Sequence, residues 1–166
     1  MFLPEFVEIL SGLHAEGARF LVVGGYAFGI HHEPRATKDL DVFVEPTRQN
    51  AAREMRALRT FRAPMFGLTL KDLTTKGTCL QIGVAPRRID MLTAIDGVSF
   101  DDAWSSRLEV RVGELPFRVP VLGRAAYIRN KEAIVAKDGE NRRPQDRADL
   151  ELLRRARPVR RSRKPR

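Results

Sequence analysis

Two aspartates separated by a leucine are the first residues in this sequence whose types and spacing suggest chemistry. Asp39 and Asp41 open the run DLDVFV. Side chains two positions apart on a strand project from the same face, so a strand here would aim both carboxylates into one small volume. The two groups would repel each other, and a hard divalent cation such as Mg²⁺ or Mn²⁺ would relieve that repulsion. Because Mg²⁺ often completes its shell with substrate phosphates, the pair indicates a nucleoside triphosphate site.

An acid-x-acid spacing also arises by chance, so a solvated strand end is the plainer alternative. Two further features favour a site. Gly24 and Gly25 directly follow the apolar run RFLVV, and glycines before a helix let backbone N–H groups approach phosphate oxygens. Asp90 lies inside the apolar run RIDML, where a carboxylate is costly unless it is paired or bound to a metal.

These motifs together carry a resemblance to a known family. The apolar-Gly-Gly of residues 23–25, the 13-residue spacer, the Asp-apolar-Asp-apolar of residues 39–42 and the later acid of residues 89–91 stand in this order. The chain thereby resembles the DNA polymerase beta-like nucleotidyltransferase superfamily, and most closely the small bacterial AbiEii-type and minimal nucleotidyltransferases of toxin–antitoxin systems. Those proteins also show an Arg-x-Thr-x-Asp segment, which matches Arg35, Thr37 and Asp39 here.

The resemblance implies a role for each matched residue. Asp39 and Asp41 would bind both metal ions, and Asp90 would bind the ion near the attacking hydroxyl and act as the general base. The triphosphate would lie on Gly24 and Gly25. The resemblance assigns nucleotide contacts to a further set of residues, namely Arg35, Thr37, Lys38 and Asp146. It assigns a catalytic role to Lys131, which would neutralise charge that develops on the phosphates.

Each of the outlying assignments has a plainer structural alternative. Lys131 lies in an amphipathic helical segment, where a solvated lysine is the default. Asp146 and Asp149 could pair with arginines on a helix surface. Arg35 and Lys38 could be ordinary surface charges. Cys79 lies in a strand-like run and is predicted to be a core thiol.

Hydrophobic periodicity predicts the elements that must position these residues. Helices are predicted at about 6–17, 47–61, 123–137 and 143–155, and strands at about 19–23, 39–45, 78–84 and 88–93. A second hairpin is predicted around Gly113, and a short helix after Ser99. The order predicts an α/β (α+β) domain, a mixed nucleotidyltransferase-palm sheet with a small helical C-terminal cap, over residues 1–153.

Charge divides the chain unevenly. Residues 154–166 hold eight basic and no acidic side chains, whereas residues 1–153 are close to neutral, with 22 basic and 21 acidic. We predict a disordered basic tail that favours phosphate-rich partners, RNA above all; a tail that only aids solubility is the alternative. No apolar run reaches the roughly 18 residues of a membrane span, and a single cysteine excludes a disulfide framework, so a cytoplasmic location is expected.

The sequence thus predicts a metal-dependent nucleotidyltransferase that moves a nucleoside monophosphate from a nucleoside triphosphate, such as ATP, to an acceptor hydroxyl. The resemblance and the basic tail favour an RNA acceptor, with a tRNA 3′ end as one case. AMP transfer to a partner toxin, as an antitoxin, is the first alternative, and a small-molecule acceptor is another. A catalytically inert module that binds RNA or a cognate protein is the alternative from a different class.

Overall fold

A six-stranded mixed sheet forms the centre of the computed structural model, which describes residues 2–34, 36–113, 115–138 and 144–155. The strands are β1 (Phe20–Val22), β2 (Asp39–Val44), β3 (Cys79–Ile82), β4 (Arg88–Leu92), β5 (Leu108–Val110) and β6 (Val119–Val121). The helices in the described part of the chain are α1 (Pro4–Ala15), α2 (Gly24–His31), α3 (Arg48–Thr60), α4 (Leu70–Thr74), α5 (Phe100–Ser105), α6 (Arg124–Asp138) and α7 (Pro144–Arg155). The α+β prediction is therefore confirmed.

The strand order β3-β4-β2-β1-β6-β5 places β2 near the middle of the sheet. β2 runs antiparallel to β1 and parallel to β4, and β1 runs parallel to β6. The β3–β4 and β5–β6 pairs are antiparallel hairpins, as their sequences predicted. In the β2–β4 register Asp39 pairs with Arg88 and Asp41 with Asp90. This parallel pairing between distant segments brings the acidic runs together.

Alternation along β2 separates the core from the cleft. Leu40 and Val42 are fully buried, and they point to the opposite face from the two aspartates because strand side chains alternate. On the aspartate side, Phe43 packs its ring against Phe100 at a centroid distance of 5.1 Å. The face of β2 that carries the aspartates therefore changes from charged to apolar along a single strand.

The first and third helices pack against each other beside the sheet. α1 begins with Pro4, a residue suited to the first helical turn, and buries the four apolar residues Phe6, Ile9, Leu10 and Leu13. α3 begins at Thr47, whose side-chain oxygen accepts a hydrogen bond from the Asn50 N–H. The Ser99 cap predicted for α5 is also present, because its hydroxyl accepts from the Asp102 N–H at 3.2 Å.

One detail differs from the sequence predictions. Cys79 is exposed, so the prediction of a core thiol is wrong: β3 is an edge strand, and its Cys79 side chain borders a cleft.

The last described helix agrees with the helix predicted at about 143–155. α7 ends at Arg155, so it includes the first two residues of the predicted tail, and Arg154 ion-pairs with Glu132 at 2.6 Å. The remainder of that predicted tail lies outside the described residues.

Each helix in the described part of the chain is too short or too polar to cross a membrane.

Candidate functional site

Three carboxylates converge at the start of β2 and on β4. Asp39 and Asp41 share one face of β2, and the parallel register sets Asp90 directly beside Asp41. Asp90 is 6% exposed, whereas Asp39 and Asp41 are half-buried. The sheet therefore gathers the acids of two chain segments that lie about fifty positions apart in the sequence.

Arg88 lies between these acids and was not predicted from the sequence. Its guanidinium ion-pairs with Asp39 Oδ2, and its Nε lies 3.0 Å from Asp90 Oδ1. Arg88 and Asp90 share a strand face because they are two positions apart. The Arg-x-Asp spacing was therefore a usable signal, but its meaning depended on the pairing of β4 with β2.

The surroundings of Asp41 and Asp90 disfavour the charged forms of these two acids. The pKa of Asp41 is raised to about 6, mainly by burial and then by the neighbouring Asp39 and Asp90 carboxylates, against the smaller opposite effects of Lys131 and Arg88. Burial also raises the pKa of Asp90, although the Arg88 guanidinium opposes that shift. Lys131 and Arg88 therefore do not fully compensate the charge of Asp41, which would be stabilised by an additional positive charge.

The paired glycines lie directly against this cluster. Gly24 has a φ of +61°, and a Cβ built on it would lie 1.9 Å from Asp41 Oδ2. A Cβ on Gly25 would lie 2.7 Å from Thr37 Oγ1. Neither position has room for a side chain without displacing a neighbour that the site uses. This close approach explains why glycines stand here and not merely small residues.

The turn that contains these glycines opens α2. The Val23 N–H donates to the Asp41 carbonyl at 3.0 Å, which ties the end of β1 to the carboxylate strand. The first N–H groups of a helix lack intrahelical acceptors and form a positive terminus. The Thr37 hydroxyl lies 3.2 Å from the Asp39 carbonyl and 3.3 Å from Asp39 Oδ1. Thr37 therefore positions both the first aspartate and the glycine turn.

The last two helices supply a buried lysine. Lys131 on α6 is 6% exposed, and its ammonium contacts Asp146 Oδ1 and lies 3.7 Å from Asp149 Oδ2 on α7. The alternatives of a solvated Lys131 and of surface-paired aspartates are therefore wrong, because α7 packs on α6 and encloses all three groups. One turn earlier on α6, the Tyr127 hydroxyl donates to the Gly24 carbonyl at 3.1 Å.

Apart from Asp149 and Tyr127, these groups border one open cleft of about 750 Å³. The predicted site residues that line it are Gly24, Gly25, Thr37, Asp39, Asp41, Asp90, Lys131 and Asp146. Lys38 is exposed and does not line it; it lies in the loop before β2 and turns to solvent. Arg35 lies outside the described residues. The cleft also contains residues that the sequence did not single out, among them Arg88, Gln81 and Asn130.

The oxygen donors of the cleft bear on whether it could hold a divalent metal ion. In the described ranges, no group of three or more His, Cys, Asp or Glu residues is arranged to hold a metal ion. Asp39 and Asp90 instead contact Arg88. The chemistry of the three acids nevertheless fits a hard divalent cation, since they are oxygen donors, and burial together with the neighbouring carboxylates raises the pKa of Asp41. A cation bound there would compete with Arg88 for Asp39 and Asp90.

No protein-family model matches this chain, and no curated protein matches its sequence. The support for a function therefore comes from the chemistry of the cleft.

Proposed function

We propose that this chain is a metal-dependent nucleotidyltransferase with a nucleotidyltransferase-palm sheet, which transfers a nucleoside monophosphate from a nucleoside triphosphate to an acceptor hydroxyl. The observation that carries the proposal is the meeting of Asp39, Asp41 and Asp90 with the Gly24–Gly25 turn in one cleft. Carboxylates that crowd one another beside backbone N–H groups suit a substrate that combines phosphates with a divalent cation.

In this proposal Asp39, Asp41 and Asp90 hold Mg²⁺ or Mn²⁺. Bound there, the metal would neutralise the charge of the phosphates and activate the attacking oxygen. The N–H groups at the start of α2 bind phosphate oxygens, and the missing side chains at Gly24 and Gly25 let the phosphates approach the backbone. Thr37 keeps Asp39 in place. Asp90, whose pKa is raised, accepts the proton of the acceptor hydroxyl.

Among the residues that the structure describes, Lys131 and Arg88 are the cations in position to contact the phosphates. Both line the cleft, and each is at present paired with aspartates. Asp146 and Asp149 hold the Lys131 ammonium in a fixed orientation at the wall of the cleft. Arg88 would exchange Asp39 and Asp90 for phosphate oxygens, which guanidinium groups bind well.

For the acceptor we propose RNA, with a tRNA 3′ end as one case. The support is the run of basic residues from Arg154 onward, which follows an almost neutral body and would bind a polyanion by counterion release. Deleting residues 157–166 is then expected to weaken transfer to RNA, and raising the salt concentration should have the same effect. Transfer to a cognate toxin or antitoxin protein would instead survive the deletion.

A second candidate function rests on Arg88. Its contacts with Asp39 and Asp90 neutralise two of the three acids, which suits an inert module that binds RNA or a protein through this cleft. If the chain is such a module, the double variant Asp39→Asn, Asp41→Asn should bind the partner as tightly as the wild-type protein does.

The test is incubation of the protein with each α-³²P-labelled nucleoside triphosphate, Mg²⁺ or Mn²⁺, and total RNA plus protein extract. Label in RNA is the expected result; label in a protein band would move the acceptor to the antitoxin alternative. Asp41→Asn should abolish labelling. Asp101→Asn, a matched change at an exposed aspartate of α5, should not. Absence of labelling by the folded wild-type protein would favour the inert module.

A further inference from the structure

The cleft has a polar end and an apolar end. The polar end contains the glycine turn and the three acids described above. Beyond Asp90 along the chain, the cleft is also lined by the apolar residues Leu92 and Ile95 and by Ile134 of α6, and all three side chains are half-buried. Apolar side chains that border an open cleft and remain partly accessible are suited to contact a flat apolar group of a ligand.

The distance between the two ends suits a nucleotide. Leu92 lies two residues beyond Asp90 on β4, which corresponds to about 6–7 Å along a strand. A phosphate bound at the glycine turn, which lies against Asp41, would therefore leave room for a sugar before a base reached Leu92. The same helix lies over both ends, since Lys131 and Ile134 are one turn apart on α6.

Asn130 supplies a polar group at this apolar end. It is 8% exposed, lines the cleft, and shares a helix face with Ile134 four residues later. Its Nδ2 donates to the Asp96 carbonyl at 2.8 Å. A carbonyl partner fixes the amide orientation, because only the NH₂ group can donate to it. The Asn130 Oδ1 is then the group left to accept a hydrogen bond from a ligand.

We propose that the apolar end of the cleft binds the nucleobase of the nucleoside triphosphate, and that Asn130 Oδ1 selects bases that carry an exocyclic amine, such as adenine and cytosine, over uracil. The inference rests on the proposed function, because the phosphates must bind at the glycine turn. Ile134 and Ile95 contact the faces of the base. Asn130 is thereby a specificity-determining residue that accepts a hydrogen bond from the edge of the base.

The test is calorimetric titration of the full chain with ATP, UTP and inorganic tripolyphosphate in Mg²⁺, at about 200 mM salt to suppress binding of phosphates to the basic residues. Wild-type protein should bind ATP more tightly than UTP or tripolyphosphate. Ile134→Ser should weaken ATP binding about tenfold and leave tripolyphosphate binding unchanged, since about 1.4 kcal/mol of apolar contact is lost. Leu152→Ser, at a leucine of α7 that is 40% exposed, is the matched control and should change neither.

Asn130→Ala provides an independent readout, since it should equalise ATP and UTP affinity. Equal weakening of ATP and tripolyphosphate by Ile134→Ser would overturn the inference, as would ATP binding no tighter than tripolyphosphate in the wild-type protein. Either result would leave the proposed function standing, because the phosphates would still bind. Absence of binding by both ATP and tripolyphosphate would overturn the proposed function together with the inference.

Discussion

Two regions of this molecule contain acids whose pKa is raised by burial. In the cleft, the pKa of Asp41 is raised to about 6. On α3, the pKa of Glu54 is raised to about 8, because the side chain is fully buried and the hydrogen bond from Asn50 only partly offsets that burial. Measured by the pKa shift alone, Glu54 would be the stronger functional candidate.

The surroundings of Glu54 indicate a structural role instead. Asn50 donates to Glu54 Oε1 at 2.8 Å and to the Arg19 carbonyl at 3.0 Å, and it accepts from the Arg19 N–H at 2.7 Å. Arg19 in turn ion-pairs with Glu45 and lies 4.7 Å from the centre of the Trp104 ring. These contacts join α3 to the start of β1. None of these residues lines the cleft.

A raised pKa indicates a functional group only where that group also borders accessible space and has charged neighbours. Asp41 borders an open cleft with two other acids, two cations and a glycine turn. Glu54 is enclosed and has an amide for a partner. The following changes, in order of decreasing expected effect, test this distinction.

The largest difference is expected between substitutions of the two acids with raised pKa values. Asp41→Asn should impair activity, whereas Glu54→Gln should leave activity intact. We expect Asp41→Asn to lower kcat/KM about a thousandfold, since several kcal/mol of transition-state stabilisation is lost with a metal-binding carboxylate. Glu54→Gln should change kcat/KM by less than about twofold. Asp41→Asn should also raise the melting temperature at pH 7, because it removes carboxylate repulsion, so that its loss of activity is not a loss of folding. Equal activity of the two variants would contradict the comparison.

Lys131→Met should destabilise the fold by about 3–5 kcal/mol, because the buried carboxylates of Asp146 and Asp149 lose their shared cation. Lys137→Met is the matched control on the same helix. Lys137 pairs with Asp96 at 3.2 Å in an exposed position, where an ion pair contributes about 0–1 kcal/mol. Urea unfolding of both variants measures the difference, and similar values would show that Lys131 is not held as described.

Glu54→Gln should remove a pH dependence of stability. Because the folded pKa of Glu54 is about 8 and the ordinary value is 4.5, its contribution is complete below about pH 4.5 and is lost as the pH rises to 8. The wild-type protein should therefore lose on the order of 3 kcal/mol relative to the variant between pH 5 and pH 8. Urea titrations at both pH values measure this loss, and parallel pH profiles would show that Glu54 is ionised in the folded protein.

Gly24→Ala should cost about 2 kcal/mol more than Gly17→Ala. Both glycines have positive φ, +61° and +66°, but a Cβ at Gly17 meets nothing within 4 Å, whereas one at Gly24 meets the Asp41 carboxylate. Backbone strain is therefore matched, and the difference isolates the contact with Asp41. Thermal melts of the two variants give the value; equal melting temperatures would mean that Asp41 moves aside freely.

Local patterns in the sequence predicted most of the elements, and they predicted the glycine turn and the three carboxylates of the cleft. The DLDVFV run predicted β2, and the Ser99 cap and both hairpins followed from short-range signals. Asp39 and Asp41 were selected by their spacing on a predicted strand, and Asp90 because a carboxylate is costly inside an apolar run. Neither signal needs knowledge of the fold.

What the sequence did not predict depends on contacts between distant segments. Arg88 lies beside Asp39 only because β4 pairs with β2 in this register. Cys79 was wrongly placed in the core because an edge strand and a central strand of four residues have similar patterns. The burial of Glu54 and Lys131 follows from helix packing, and a charged residue in an amphipathic helix gives no local sign that a neighbour will cover it.

The most direct test of the central claim follows the two ends of the triphosphate in parallel reactions. The protein is incubated with acceptor RNA, Mg²⁺ and ATP labelled with ³²P at either the α or the γ position. The account predicts that α-label enters the acceptor, that γ-label leaves as pyrophosphate, and that Asp41→Asn abolishes both. Label from the γ position in the acceptor or in inorganic phosphate would contradict it, as would absence of transfer by a folded protein that binds ATP.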